Sequence, residues 1–390
     1  MDQRSSTRTR HAARNVKKLN SRQVAVQVLI EIEDGARAND SLAANLASSG
    51  RDLSRRDRAF VTELVQGTTR MRRAIDYVVQ PFLRRKLDPD VRAALRMGTH
   101  QLLHLGTPPH AAVNDTVDVA PRRASGLVNA VLRKVASANT QWPNEAIRHS
   151  YPDWIWELFI NTWGQDGRAS LIAMNSPERP SARPDGYIQG QASRWVSDEA
   201  DAASAKGGSM VDLCAAPGGK TTALGSQWSS LYANEIDPTR AKNLRETISR
   251  FREGTAVVIG DGTKAPFADG CVDAVLVDAP CSGLGALGRR SDARWQISEK
   301  AINRLVLIQG ALLGEAFRLL RPGGILSYSV CTVTQEETVK VPADFEASHP
   351  GLANLALTGT HWRPHHQGGI VLPHDYGTDG MAIFQWKRQS

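Results

Sequence analysis

The chain changes its hydrophobic rhythm once, and that change limits its fold more than any other feature. Up to about Asn139 apolar residues recur at helical spacing; beyond Ala203 short apolar runs alternate with helix-like and loop segments. In "SRQVAVQVLIEIED" Val24, Val28 and Ile32 stand at i, i+4 and i+8 behind Ser21, a candidate cap, and "SRRDRAFVTELVQG" brings Phe60, Val61, Leu64 and Val65 together. "RAIDYVVQPFL", "DPDVRAALRMGTHQLLHL" and "SGLVNAVLRKV" continue the pattern through short polar links. Residues 19–140 are therefore expected to form an all-α helical domain. A bundle alone names no function.

The second rhythm is more informative. "SMVDLC", "SSLYANEID", "TAVVIGD", "VDAVLVD" and "GGILSYSV" read as strands that run into Asp, Cys or Ser. Strands alternating with helices predict an α/β, Rossmann-like doubly wound parallel sheet, in which ligands bind beyond the carboxyl ends of the strands. Residues 188–390 are assigned to it. Between the two regions, "YPDWIWELFINTWG" predicts an aromatic-rich helix and "NSPERPSARPDG" a breaker-rich boundary, so 141–187 reads as a linker and short pre-catalytic region.

Composition narrows the setting. No apolar run approaches the ~18 residues of a membrane span, and the N-terminus lacks a signal's apolar core, so a cytoplasmic location without membrane contact is expected. Cys214, Cys271, Cys281 and Cys331 form no CxxC pair, which predicts reduced thiols and no zinc. His365 and His366 lack a second ligand cluster, so no metal is expected. Of the net charge of +8, residues 1–18 hold six Lys/Arg against one Asp. That basic tail, expected to be disordered, suits an RNA phosphate backbone or is merely a solvated end.

The residues that end strands carry the chemistry. In "DLCAAPGGKTT" Gly218 and Gly219 permit a tight turn and close approach of backbone to ligand before a helix. The turn lacks the GxGxxG and P-loop spacings. Glu235 ends the second strand, where a carboxylate can accept from both ribose hydroxyls, and Asp261 ends the third. Together they describe a nucleoside without phosphate ligands, which fits S-adenosylmethionine better than a dinucleotide. The simpler reading makes Asp237 and Asp261 caps.

Cys281 follows the fourth strand and Cys331 the fifth, so both thiols are expected to reach one crevice. A thiolate adding at C6 of a cytosine makes C5 enamine-like and able to attack a donor methyl. A base must then remove the C5 proton and expel the enzyme, and a second thiol can assist. The residues alone leave open which cysteine attacks. Arg289, Arg290 and Arg294, with Trp295, offer cations and an aromatic for RNA phosphates and bases, or else a solvated loop around a core tryptophan.

In these motifs the chain resembles the Sun/Fmu (RsmB-type) family of small-subunit ribosomal RNA cytosine-C5 methyltransferases, within the NOL1/NOP2/Sun superfamily. "DLCAAPGGKTT", "VDAPCSGLGALGRRSDARW", "YSVCT" and "LPHDYGTDGMAIFQWKR" match its motifs in order, and "PPHAAVNDTVDVA" with "GLVNAVLRKV" resembles its NusB-like RNA-binding domain. The resemblance implies Cys331 as nucleophile and Cys281 as the thiol of product release. It implies that Asp278 contacts cofactor and cytosine and that Lys220 orients the base. Cofactor contacts are implied at Cys214, Ala215, Ala216, Pro217, Gly218, Gly219, Lys220, Glu235, Asp261 and Asp278.

The implied partner is naked or partly assembled small-subunit ribosomal RNA, met by a monomer. Transfer RNA is the alternative substrate, and a non-catalytic ribosome-assembly factor the alternative function. The chain departs from the family pattern in three places. Val330-Cys331-Thr332 stands where Thr-Cys-Ser is usual, Glu235 stands where Asp is common, and "SARPDG" leads almost directly into "YIQGQAS" where relatives carry a small α/β module.

Overall fold

In this computed structural model the described residues are 20–49, 53–177, 180–203 and 207–389. The basic tail of residues 1–18 lies outside them. The chain divides into two compact units, one of Met1–Thr68 with Val79–Ala138, the other of Thr69–Val78 with Asn139–Ser390.

The N-terminal region runs through α1 (Ser21–Glu33), α2 (Ala38–Ser49), α3 (Arg55–Arg70), α4 (Arg72–Val79), α5 (Pro89–Leu103), α6 (Pro109–Val119) and α7 (Ser125–Ser137). The first unit's core joins Val24, Val28 and Leu29 of α1 to Val61, Leu64 and Val65 of α3 and Met97 of α5. Of these, Val24, Val28, Val61, Leu64 and Val65 were singled out by helical spacing, and Leu29 and Met97 join them. The cap of α1 is Asn20 and not Ser21: its side chain accepts from the Gln23 amide at 2.9 Å, while Gln23 accepts from the Asn20 amide at 2.9 Å.

The second unit continues with α8 (Glu145–Arg148), α9 (Asp153–Ala173), the hairpin strands β1 (Ser181–Ala182) and β2 (Ile188–Gln189), and α10 (Gln191–Ala202). Then come β3 (Ser209–Asp212), β4 (Ser230–Glu235), α11 (Pro238–Phe251), β5 (Ala256–Ile259), β6 (Val272–Asp278), α12 (Ala293–Gln296), α13 (Glu299–Leu319) and β7 (Leu320–Val330). The chain closes with α14 (Val341–Ser348), β8 (Leu352–Asn354), β9 (Arg363–His365), β10 (Gly368–Val371), α15 (Pro373–Tyr376) and β11 (Met381–Arg388).

The large sheet has the order β5-β4-β3-β6-β7-β11-β10-β9, with β8 also on β11. Its first five strands are parallel, and β11, β10 and β9 are antiparallel. The central β6 is covered on both faces, which is why it reads as a continuous apolar run. Val275 and Val277 share a core with Leu312, Leu313 and Ala316 of α13; Ala274 and Leu276 share one with Val196 of α10 and Ile383 of β11. Each such Val, Leu or Ile side chain contributes roughly 1.5–3 kcal/mol by leaving water. Pairing of Asp278 with Ser329 across β6 and β7 fixes where both strands end, and so where their cysteines emerge.

The local expectation shifts in one place. The segment after "DLCAAPGGK" makes a single 3-10 turn, Thr221–Ala223, and not an α-helix. Helix α13 stops at Leu319, and β7 takes in Pro322, Gly323 and Gly324, with Gly323 at φ +80°.

The loop after β6 is anchored by Arg294, for which the expectation of an RNA contact is corrected. Its side chain is fully buried. It donates to the carbonyls of Arg70, Ser150 and Leu287 at 3.3, 3.1 and 3.3 Å and to Asn175 Oδ1 at 3.1 Å, with its guanidinium 4.0 Å from the Tyr151 ring centre. Burial lowers its pKa to about 10. No face remains for a phosphate. Trp295 is likewise occupied, donating to the Thr69 carbonyl at 2.8 Å beneath the Arg72 guanidinium. Arg294→Met, which leaves those carbonyls unpaired, is expected to cost on the order of 3–5 kcal/mol in urea unfolding of the full chain.

Candidate active site

The two cysteines meet beyond the ends of β6 and β7. Their sulfurs are 3.3 Å apart. A hydrogen bond from Cys281 to Cys331 lets one proton serve two sulfurs, and its consequences are opposite for the two. Cys331 is lowered to about 6, by that hydrogen bond first and then, against the cost of burial, by the Arg290 cation; Lys220 also favours its thiolate, while Asp278 opposes it. Cys281 is raised well above the usual thiol range, by the same hydrogen bond, by burial and by the charge of Cys331.

This asymmetry is testable without any substrate. Since the thiolate is the reactive form, iodoacetamide should alkylate Cys331 with a rate that rises through about pH 6 and then levels. Cys281 should lag far behind at neutral pH. Peptide mass spectrometry reads each site separately, and equal rates at pH 7 would remove the asymmetry.

Beside the thiols, Asp278 accepts from Lys220 Nζ at 2.7 Å and from Ser329 Oγ at 2.8 Å. The carboxylate is thus oriented by partners on the loop after β3 and on β7. Behind them lies a carboxylate that the sequence reading did not single out. Glu337 is fully buried and accepts from the Ser282 amide at 2.8 Å, Ser282 Oγ at 2.5 Å, Thr334 Oγ1 at 2.8 Å and Gln309 Nε2 at 2.9 Å. Ser282 and Thr332, each the residue after a cysteine, share a 2.7 Å hydrogen bond. Glu337 therefore holds both cysteine-bearing turns in register. The signal was the acid six residues beyond Cys331, inside "VCTVTQEE".

The loop Cys214–Lys220 leaves β3 in the next crevice. Gly218 takes φ +103°, and a Cβ there would meet Leu244 and Thr247 at 3.0 Å, so only glycine fits. Gly219 has no such φ; its Cβ would meet Tyr187 at 3.4 Å, an ordinary contact. Glu235, 2% exposed, accepts from the Asp237 amide at 3.0 Å and lies 3.3 Å from Arg240, which also reaches the Ala216 carbonyl. Asp237 caps α11, and Asp261 accepts from the Thr263 amide at 2.9 Å while its side chain stays exposed, so the capping roles hold for both.

Asp212, at the end of β3, was also missed. Burial raises it to about 7, against the hydrogen bond from Thr221. Burial and the charges of Asp212, Asp278 and Glu235 hold the Cys214 thiol well above its usual range. Three acids thus line this loop, with Asp278 paired to Lys220, Glu235 beside Arg240 and Asp212 raised by burial. The loop is clamped by Arg183 of "SARPDG", 8% exposed, which donates to the Gly219 carbonyl at 3.0 Å, to Thr222 Oγ1 at 3.0 Å and to Gln189 at 3.1 Å. The short pre-catalytic segment therefore props the loop directly.

Of the other predicted residues, Arg290 is exposed and its charge acts on both thiols. Arg289 is half-buried and donates to Asp379 Oδ1 at 2.9 Å. His365 and His366 part company, facing Thr338 and Glu346. Among the described residues no group of three or more His, Cys, Asp or Glu gathers to hold a metal, and no helix is long and apolar enough to cross a membrane.

Comparison with known proteins follows the same division. Residues 203–387 match the family model of the 16S rRNA methyltransferase RsmB/F, and residues 19–137 that of the NusB family. "Putative methyltransferase Rv1407" of Mycobacterium tuberculosis is 32% identical over 434 positions, covering 90% of this chain and 93% of its own. "Ribosomal RNA small subunit methyltransferase B" of Yersinia pseudotuberculosis is 26% identical, covering 93% and 97%. The 434 aligned positions exceed the 390 residues of this chain, so the mycobacterial relative carries internal residues that are absent here. The crystal structure of PH0851 shares the fold, at 22% identity and a TM-score of 0.77, over 95% of this chain and 100% of that one. The chain belongs to the RsmB/F family of S-adenosylmethionine-dependent RNA methyltransferases, with a NusB-family helical domain ahead of a Rossmann-like methyltransferase sheet.

Proposed function

We propose that this protein methylates C5 of a cytosine in small-subunit ribosomal RNA, through a covalent bond between Cys331 and C6 of the base. The observation that carries the reading is the 3.3 Å approach of two thiols of opposite pKa displacement at the ends of adjacent strands. When bound, S-adenosylmethionine supplies an electrophilic methyl group. Its nucleoside would be held by Cys214, Ala215, Ala216, Pro217, Gly218, Gly219 and Lys220, with Glu235 and Asp261 on the ribose and adenine side.

Cytosine C5 is too poor a nucleophile to react unaided. The Cys331 thiolate forms an S–C6 bond, and the electrons of the C5–C6 double bond make C5 enamine-like. Asp278 accepts from the base's exocyclic amine, and Lys220 sets a positive charge toward the ring as negative charge develops. C5, so activated, attacks the donor methyl. Cys281, its own proton released to solvent, then takes the C5 proton as a thiolate; the C5–H electrons re-form the double bond and the S–C6 bond breaks, returning the Cys331 thiolate. That release is easier at this stage, because once Cys331 is a thioether the hydrogen bond and the charge that raised Cys281 are gone and only burial still opposes its thiolate.

A paired and stacked cytosine hides C5 and C6, so the target is an unpaired or flipped base in naked or partly assembled RNA. The test is nucleoside mass spectrometry on unmodified small-subunit ribosomal RNA incubated with the protein and isotopically labelled S-adenosylmethionine. Labelled 5-methylcytidine is expected. Label in transfer RNA alone would move the substrate, and cofactor binding without transfer would leave an assembly role.

A further inference from the structure

A cleft of about 260 Å³ lies on the other side of the thiol loop. Its wall includes Gly288 and Arg289, which end that loop, and Gly377, Thr378 and Asp379, which lead into β11. The two strips are tied to the reacting cysteines by backbone: the Gly285 amide donates to the Cys331 carbonyl at 3.1 Å, and the Gly380 amide to the Gly285 carbonyl at 2.9 Å. Whatever enters the cleft therefore sits beside the strand ends that carry the chemistry.

Two aromatic side chains, Trp195 of α10 and Tyr376 of α15, face each other edge to face at 5.3 Å. Trp195 is propped from behind by His361, stacked at 4.0 Å, and by Trp362, edge-on at 6.3 Å. Such packing removes rotamer freedom before any ligand arrives. Tyr376 is 50% exposed, although a large aromatic ring gains by burial. Arg289 adds a cation whose charge is balanced by Asp379, with its guanidinium against Gly190. Propped aromatic faces and a neighbouring cation are what proteins present to unpaired bases.

We propose that the Trp195–Tyr376 cleft is a stacking subsite for a second, unpaired nucleobase on the same RNA strand as the target cytosine. The proposal rests on the methyltransferase reading above, since flipping one base deprives its neighbour of a stacking partner. The ring of Tyr376 replaces that partner. The exchange needs no sequence match, because every base offers a π-face.

The test uses the full-length protein and a fluorescently labelled single-stranded fragment of small-subunit ribosomal RNA. Tyr376→Ala is the first variant because its half-exposed side chain is not part of the core. Its RNA Kd is expected to rise roughly 10-fold, the loss of one stacked base, while S-adenosylmethionine binding and the alkylation rate of Cys331 stay as in the wild type. Tyr376→Phe keeps the ring and should bind RNA as the wild type does. Equal Kd for wild type and Tyr376→Ala would overturn the subsite, as would a loss in Tyr376→Phe equal to that in Tyr376→Ala. The readout is independent of turnover. A wild-type protein that transfers no methyl, but whose Tyr376→Ala variant still loses RNA affinity, would remove the proposed reaction and keep the subsite.

Discussion

Alanine in place of Cys331 is expected to lower methyl transfer by roughly four orders of magnitude or more, with S-adenosylmethionine binding kept within a few-fold. Loss of a covalent nucleophile typically removes nearly all of the rate enhancement that the rest of a site can supply. Here the remaining groups have no substitute to offer. Cys281 is adjacent, but its sulfur stands 3.3 Å from the one that attacks and does not occupy that seat. The proposed cofactor side should be indifferent, because Gly218, Glu235 and Arg183 make their contacts away from Cys331. The turn should also hold, since Glu337, Ser282 and Thr332 fix it without help from either sulfur. Calorimetric cofactor binding and a single-turnover assay with labelled donor separate the two effects. Transfer within tenfold of wild type would place the nucleophile elsewhere.

How much of this was legible in the sequence depended on whether a residue's work is local. The central parallel strands could be read because β6 and its neighbours β3 and β7 are largely buried on both faces and so appear as apolar runs, and the exposed edge strand β5 reads as "AVVI". Their ends, and with them Cys281, Cys331, Asp278 and Glu235, followed from strand polarity alone. The antiparallel strands β8 to β10 escaped because each has three or four residues, and β9 is "RPH", with no alternation to detect. Arg294 was misread for a different reason. In sequence it is one of three arginines on a loop, and only the carbonyls of Arg70, Ser150 and Leu287, up to 224 positions away, turn it into a core residue. Glu337 and Arg183 were not singled out for the same reason: their partners are assembled by tertiary structure. Chemistry at strand ends is visible in one dimension, and the shell that holds it is not.

Cys281→Ala is expected to stop turnover at a different point, leaving the protein attached to RNA. If Cys281 removes the C5 proton, its loss still permits attack and methylation but blocks the elimination that frees Cys331. A protein–RNA band that survives denaturation should then accumulate toward one equivalent, with the methyl label in it. Cys281 has a second role that would confuse the result at one pH alone, because its hydrogen bond is the largest influence lowering Cys331. Without that donor the Cys331 pKa rises from about 6, so at neutral pH less thiolate is present and the adduct forms more slowly. Raising the pH restores the thiolate, and the two roles then part. Were Cys281 only a hydrogen-bond donor, the variant would recover multiple turnovers at about pH 9, near the ordinary range of a thiol. If it is the base of release, higher pH speeds formation of the adduct and product still does not leave. A pH series of adduct yield against released 5-methylcytidine therefore decides between the roles, and normal turnover with no adduct at any pH would remove the two-thiol mechanism.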